Sequence, residues 1–124
     1  MHTSPLKAYE TIDKITMSGR ELEATALTKA ALNLRKCQEN WDATNRDSML
    51  EEALKSNQLI WSIFQSELVK ESHPLPKKLR LDIIRLGAFV DKRTFETMAY
   101  PSPEKLTIII EINNSLATAL RNCR

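Results

Sequence analysis

The sequence predicts an all-α protein, a single compact bundle of about five helices joined by short loops over residues 1–124. Three observations carry that expectation. Apolar residues recur with the 3–4 spacing of one helix face through most of the chain. Glycine occurs only twice, at Gly19 and Gly87, and the prolines fall at segment boundaries, as in a helical protein. Helix-start signals then precede the periodic runs one after another: Ser4-Pro5, Ser18 with Glu21, Ser48 with Glu51, and Ser102-Pro103.

Ser4-Pro5 joins an N-cap to the proline favoured in a first turn and opens a short helix to about Ile15, with Leu6, Tyr9 and Ile12 inward. The capping box of Ser18 and Glu21 starts a second helix to about Trp41. At 100° per residue, Ala26, Leu27, Ala30, Leu34, Cys37 and Trp41 share one side, and the alanines let a neighbouring helix come close. The stretch DATNRDS (42–48) breaks the period with cap and turn formers. Ser48 and Glu51 then start a third helix to about Glu71. In SHPLP (72–76) each proline forces its predecessor into an extended conformation, and Pro76 opens a fourth helix to about Met98. After YPSP (100–103), Ser102 caps a fifth helix that runs from Pro103 to about Asn122. TIIIEI (107–112) has strand propensity, yet Leu106, Ile109, Ile110, Asn113, Leu116, Ala117 and Leu120 hold a helical period over four turns, which decides for helix.

A chain of 124 residues suits one domain with its own core. With 42% apolar and 27% charged residues it sits in the ordinary globular range rather than the disordered one. The net charge of +2, from 18 basic and 16 acidic side chains, is too even to hold a polyanion by charge alone, so nucleic acid is disfavoured as a partner. No apolar run spans a bilayer, and MHTSPLK lacks the basic and apolar regions of a signal peptide, so a cytoplasmic location is expected; a monomer is the expected oligomeric state. Cys37 and Cys123 read as reduced thiols, without metal-ligand spacing.

Some helices carry more apolar surface than one neighbour needs. The third has a main stripe of Leu50, Ala53, Leu54, Asn57, Ile60, Trp61, Phe64 and Leu68, with Leu59 and Ile63 outside it. The fourth has Leu79, Ile83, Leu86 and Val90 on one face and Leu81, Ile84, Ala88 and Phe95 nearly opposite. Either both faces meet neighbours within the chain, or one stays open as a groove for an amphipathic helix of a partner. Leu59, Ile63, Leu81, Ile84, Ala88 and Phe95 are the groove candidates. Asn57 and Asn113 each sit amid an apolar stripe; an unpaired amide there costs about 1–3 kcal/mol, so each needs a hydrogen bond, from the core or from a partner's backbone. The core reading ties Asn57 to Trp61 and Phe64.

Chemistry has little to build on. The two histidines, His2 and His73, fall in expected loops, and no phosphate loop, nucleophile elbow or zinc-binding helix motif is present, so neither a catalytic function nor a cofactor or metal is expected. Glu21, Glu23, Glu51 and Glu52 occupy first turns, where acids suit the helix dipole. Lys78, Arg85 and Lys92 repeat every seven residues as a basic edge, with Lys77, Arg80 and Arg93 nearby, but Asp82, Asp91 and Glu96 interleave and no aromatic RNA-binding module accompanies them.

Five stretches together, KAYETIDKI, RELEATALTKAALNLRKCQENWDA, LEEALKSNQLIWSIFQSEL, PLPKKLRLDIIRLGAFVDKRTFETMAYPSPEKL and IIEINNSLATALR, resemble the flagellar biosynthesis regulator FlaF family from Tyr9 to Arg121. The most particular pieces are Asn57, Trp61 and Phe64, the block Phe89-Val90-Asp91 with Arg93-Thr94-Phe95-Glu96, and Ile112-Asn113. The resemblance implies a small cytoplasmic helical protein needed for flagellin output. It would act beside the translational regulator FlbT and bind flagellin directly as a chaperone before export. Two other roles stay open: control of flagellin messenger translation through RNA or FlbT, and a structural adaptor between flagellar proteins. The implied cargo is an amphipathic terminal segment of flagellin, which packs only in the filament.

Overall fold

The computed structural model describes residues 19–122. Among them are four helices and no strand: α1 (Gly19–Glu39), α2 (Arg46–Leu68), α3 (Lys77–Ala99) and α4 (Glu104–Asn122). These are the second to fifth of the helices expected from the sequence; the helix expected over 5–15, the cap at Ser18, and Cys123 lie outside the described residues.

The ends differ from expectation by a few residues, for local reasons. α1 stops at Glu39 rather than Trp41, where the Lys36 carbonyl accepts both the Asn40 backbone N–H at 3.0 Å and its side-chain amide at 2.8 Å. Trp41 lies half-buried in the turn beyond, with the Arg46 guanidinium 4.3 Å from its ring centre. α2 begins two residues before the expected cap Ser48: Asn45 precedes it without a side-chain capping bond, and Asp47 supplies the negative charge of the first turn. It ends at Leu68 instead of Glu71. Pro103 precedes α4 in a turn where the Leu106 N–H donates to the Pro103 carbonyl at 3.1 Å.

The helices form a four-cornered bundle in which each packs on its neighbours in sequence and α1 closes the ring against α4. The α1–α4 pair packs most extensively. It is antiparallel: the Gln38 side chain donates to the Pro103 carbonyl and to Thr107 Oγ1, both at 2.9 Å, and Arg121 reaches Thr28 at 3.3 Å near the other end. Ala24, Ala30 and Ala31 of α1, all buried, permit this closeness. The α3–α4 side is the lightest.

α2 and α4 stand diagonally, with no Cα pair within 8 Å, and long side chains span the gap. Trp61 of α2, fully buried, donates its indole N–H to Asn113 Oδ1 at 3.0 Å. The Asn113 amide donates to Asn57 Oδ1 at 2.7 Å and to the Leu27 carbonyl at 3.2 Å. One asparagine thus joins three helices at the centre of the bundle. Asn57 and Asn113 are both fully buried, and the Asn57 amide nitrogen has no partner among the described residues. Phe64 packs beside Trp61 with ring centres 6.2 Å apart at a 55° tilt.

α3 departs most from expectation. Its buried residues are Arg80, Ile83, Gly87, Val90, Thr94 and Thr97, whereas Leu79 is exposed and Leu86 only partly covered. The face is therefore rotated from the expected Leu79, Ile83, Leu86, Val90 stripe. Two residues account for the rotation. Gly87 faces α2 so closely that an added Cβ would meet the Gln65 side chain and come within 3.2 Å of the Trp61 ring. Arg80 belongs to no exposed basic edge: it is buried, donating through Nη1 to the Leu68 and Lys70 carbonyls at 2.9 and 3.0 Å and through Nε to the Leu75 carbonyl at 3.1 Å. It places a cation at the C-terminal end of α2, whose last turn contains no basic residue, and fastens the α2–α3 connection. The buried hydroxyls of Thr94 and Thr97 are satisfied within the helix by the Val90 and Arg93 carbonyls.

Candidate binding surfaces

A strongly apolar depression of about 480 Å³ lies between α1 and α2. Leu22 and Ala26 form one wall, Ile60, Ile63 and Phe64 the other, and His73 and Pro74 of the α2–α3 connection close one end. Ala26, Ile60 and Phe64 are the groove-side edge of the core stripes, and Leu22 and Ile63 extend the walls outward, 46% and 57% exposed. Arg20, Glu23 and Glu67 supply the polar groups.

Glu23 is the unusual one. Burial pushes its carboxyl up to about 7; Glu67 adds to the rise, and Arg20 opposes it. Its Oε1 is buried with no hydrogen-bond partner among the described residues. Oε2 lies 3.9 Å from His73 Nε2. His73 Nδ1 accepts the Leu75 N–H at 3.2 Å, so the neutral ring carries its proton on Nε2, toward Glu23. Burial, with Arg80 and Arg20, pushes the imidazole below its ordinary value. A groove of this kind can receive an apolar side-chain row and reward a donor that reaches Glu23.

The six residues read from sequence as one groove do not share a pocket. Ile63 alone lines the α1–α2 depression. Leu59, 61% exposed, borders a shallow hollow with Ser48, Glu52 and Lys55. On α2 both lie about 160° round from Trp61, which with Gln65 meets α3, so neither can face that helix. Leu81 and Phe95 are 42% and 60% exposed on α3, and Ala88 is exposed between them. Ile84 is partly buried against the core, its carbonyl accepting the Gln65 amide at 3.3 Å. Helical position on separate elements could not reveal which surplus faces the bundle would set together. Leu22 was the missed wall; its spacing of four from Ala26 was the available signal.

Lys78, Arg85 and Lys92 are all exposed on α3. Arg85 approaches Asp82 at 3.8 Å with its side chain 79% exposed, a contact that water largely screens. Cys37 is a buried free thiol whose ionisation burial pushes up, consistent with an inert packing role. Among the described residues no three metal-ligating side chains cluster, and no helix is long and apolar enough to cross a membrane.

The family model described as flagellar protein FlaF matches residues 5–120. The chain belongs to that family. The matched span takes in both walls of the α1–α2 groove, the Asn57–Asn113–Trp61 network and the whole of α3, so the features described above belong to the FlaF domain. Membership makes this a flagellar protein. No curated protein and no solved structure matches this FlaF chain.

Proposed function

We propose that this FlaF protein is a cytoplasmic, non-catalytic flagellin chaperone that holds an amphipathic terminal segment of flagellin in the α1–α2 groove and so supports flagellin synthesis and secretion. The observation that carries the reading is the open apolar groove walled by Leu22, Ala26, Ile60, Ile63 and Phe64, in a chain of a flagellar family. A helix laid in such a groove buries side chains at i, i+3, i+4 and i+7 against the two walls. The segment orders as it binds, and that entropy is subtracted from the contact energy. Moderate affinity results, which suits a cargo that must be handed on. Control of flagellin translation, through FlbT or through the messenger, would then follow from how much cargo is held.

Titration of the purified full chain with monomeric flagellin, followed by calorimetry, tests this. A stoichiometric complex is expected, with Ile63→Asp or Leu22→Asp weakening it tenfold or more, because each buries a carboxylate in an apolar contact. Phe95→Asp should leave flagellin binding intact. Wild-type affinity in both groove variants, or no complex with flagellin, would overturn the reading. RNA binding that falls steeply with salt and vanishes when Lys78, Arg85 and Lys92 are neutralised would favour direct messenger control instead.

A further inference from the structure

We propose that the exposed side of α3 is a second docking surface, which takes an amphipathic helix of another protein whose apolar ridge is bordered by acidic side chains. Leu81, Ala88 and Phe95 are each seven residues apart and all exposed. A seven-residue step drifts by only about 20° on a straight helix, so they form a ridge about 21 Å long. Lys78, Arg85 and Lys92 repeat with the same period three residues earlier, which sets a basic row beside the ridge, about 60° round. Among the described residues neither Lys78 nor Lys92 has an ion-pair partner, and that of Arg85 is the long contact to Asp82.

Among the described residues the bundle does not use this ridge. α3 is anchored by Ile83, Gly87, Val90, Thr94 and the carbonyl bonds of Arg80, all on its other side. Apolar surface outside the core is the kind that a partner covers, and a parallel line of cations selects what that partner carries on its flank. An antiparallel second copy fits poorly: in a two-fold related pair of that kind the two basic rows of α3 would lie on the same side, next to each other. Nucleic acid fits poorly as well, since a leucine and an alanine offer phosphate and base nothing and a single phenylalanine can stack one base at most, short of the row of aromatics that a strand needs. The surface is also separate from the α1–α2 groove, because Ile63 lies on the side of α2 turned away from α3. This FlaF protein can therefore hold two helical partners at once, and the second site stands whether or not the groove binds flagellin.

The test uses the full chain and a fluorescein-labelled synthetic helix of 21 residues, with leucines in heptad positions and glutamates on both flanks, read by anisotropy and by amide shift mapping. The glutamate peptide should bind, shift the amides around Leu81, Ala88 and Phe95, and lose affinity as salt rises. Phe95→Asp should weaken it tenfold or more, Ala88→Glu likewise, and the double change Lys78→Glu with Lys92→Glu at least fivefold. Ile63→Asp should leave it unchanged. Circular dichroism and thermal melts establish that each variant is folded. Equal binding of a peptide with lysines in place of the glutamates, wild-type affinity in folded Phe95→Asp and Ala88→Glu, or shifts confined to the α1–α2 groove would each overturn the proposal. So would a dimer of the chain abolished by Phe95→Asp, or an RNA 20-mer binding the ridge in preference to the peptide.

Discussion

α3 and α4 are of similar length and lie side by side, yet they are built in opposite ways. α4 buries Leu106, Ile109, Ile110, Leu116, Ala117 and Leu120 around Asn113, and none of its large apolar residues is exposed. α3 buries an arginine, two threonines and a glycine with only Ile83 and Val90 among its large aliphatics, while Leu79, Leu81, Phe89 and Phe95 face outward. α4 is held by the hydrophobic effect, whereas α3 is held by close approach at Gly87 and by the carbonyl bonds of Arg80. The difference teaches where function can reside. Apolar surface on α3 is free because the fold never needed it, whereas a change on α4 strikes the interior directly.

The sharpest way to break this contrast is through Asn113. Asn113→Ala removes the acceptor of the Trp61 indole and the donor to Asn57 and Leu27, leaving buried polar atoms unpaired on α2. A loss of about 3–4 kcal/mol in unfolding free energy is expected by urea denaturation. Asn57→Ala should cost clearly less, because Asn57 makes a single bond and already leaves its amide nitrogen unpaired. Equal losses at the two positions would mean that the network is not centred on Asn113.

Arg80 comes next. Arg80→Ala removes three hydrogen bonds to the Leu68, Lys70 and Leu75 carbonyls and should cost about 2–3 kcal/mol, with faster amide exchange in the last turn of α2. Arg80→Lys should recover only part, since an ammonium cannot reproduce the fork that spans two sides of the connection. If alanine proves neutral, α3 is held by apolar contact after all and resembles α4.

How much of this could be read in the sequence follows the same division. The α4 stripe was legible because seven residues on a 3–4 spacing are dominated by large aliphatics, and the helical class followed from that period and from the placement of glycine and proline. The face of α3 has an equally regular spacing, 80, 83, 87, 90, 94 and 97, but only Ile83 and Val90 are aliphatic and the other four are an arginine, a glycine and two threonines, which hydropathy discounts. Arg80 is buried only because carbonyls five to twelve residues earlier wait for it, and such a pairing is settled by the path of the connection, not by the helix. The binding surfaces were half legible for a related reason. Sequence marked Ile63, Leu81 and Phe95 as surplus, but which surplus faces meet depends on the order of helices around the bundle.

The α1 side of the bundle offers a smaller effect with a defined sign. Glu23 has its carboxyl raised to about 7 in the folded state, against 4.5 as the ordinary value. Between those values the folded chain keeps a proton that the unfolded chain has released, so the stabilising contribution is complete below 4.5 and is lost as pH rises to about 7. Glu23→Gln should flatten that slope and stabilise the protein at pH 8 by about 1 kcal/mol, a figure reduced for the partial solvation of the side chain. His73, whose pKa is lowered by burial first, runs the other way: its contribution is present above 6.5 and declines as pH falls through its folded value. Comparing the wild type with Glu23→Gln across pH 5 to 8 reads the carboxyl together with the change its removal makes at His73, 3.9 Å away. An unchanged slope would place Glu23 in water rather than in the groove wall.

The smallest expected effect carries the contrast furthest. Phe95→Ser removes a large aromatic side chain, a change that in a core costs about 3–5 kcal/mol. On α3 the ring is 60% exposed and the helix face that meets the bundle lies elsewhere, at Thr94 and Thr97. The unfolding free energy should therefore move by no more than about 0.5 kcal/mol, and the same should hold for Leu81→Ser. A drop above about 2 kcal/mol in either variant would show that the ridge contributes to folding. In that case α3 would be bound to the bundle on both sides, and the apolar row between its basic flank and the core would have no surface left to offer a partner.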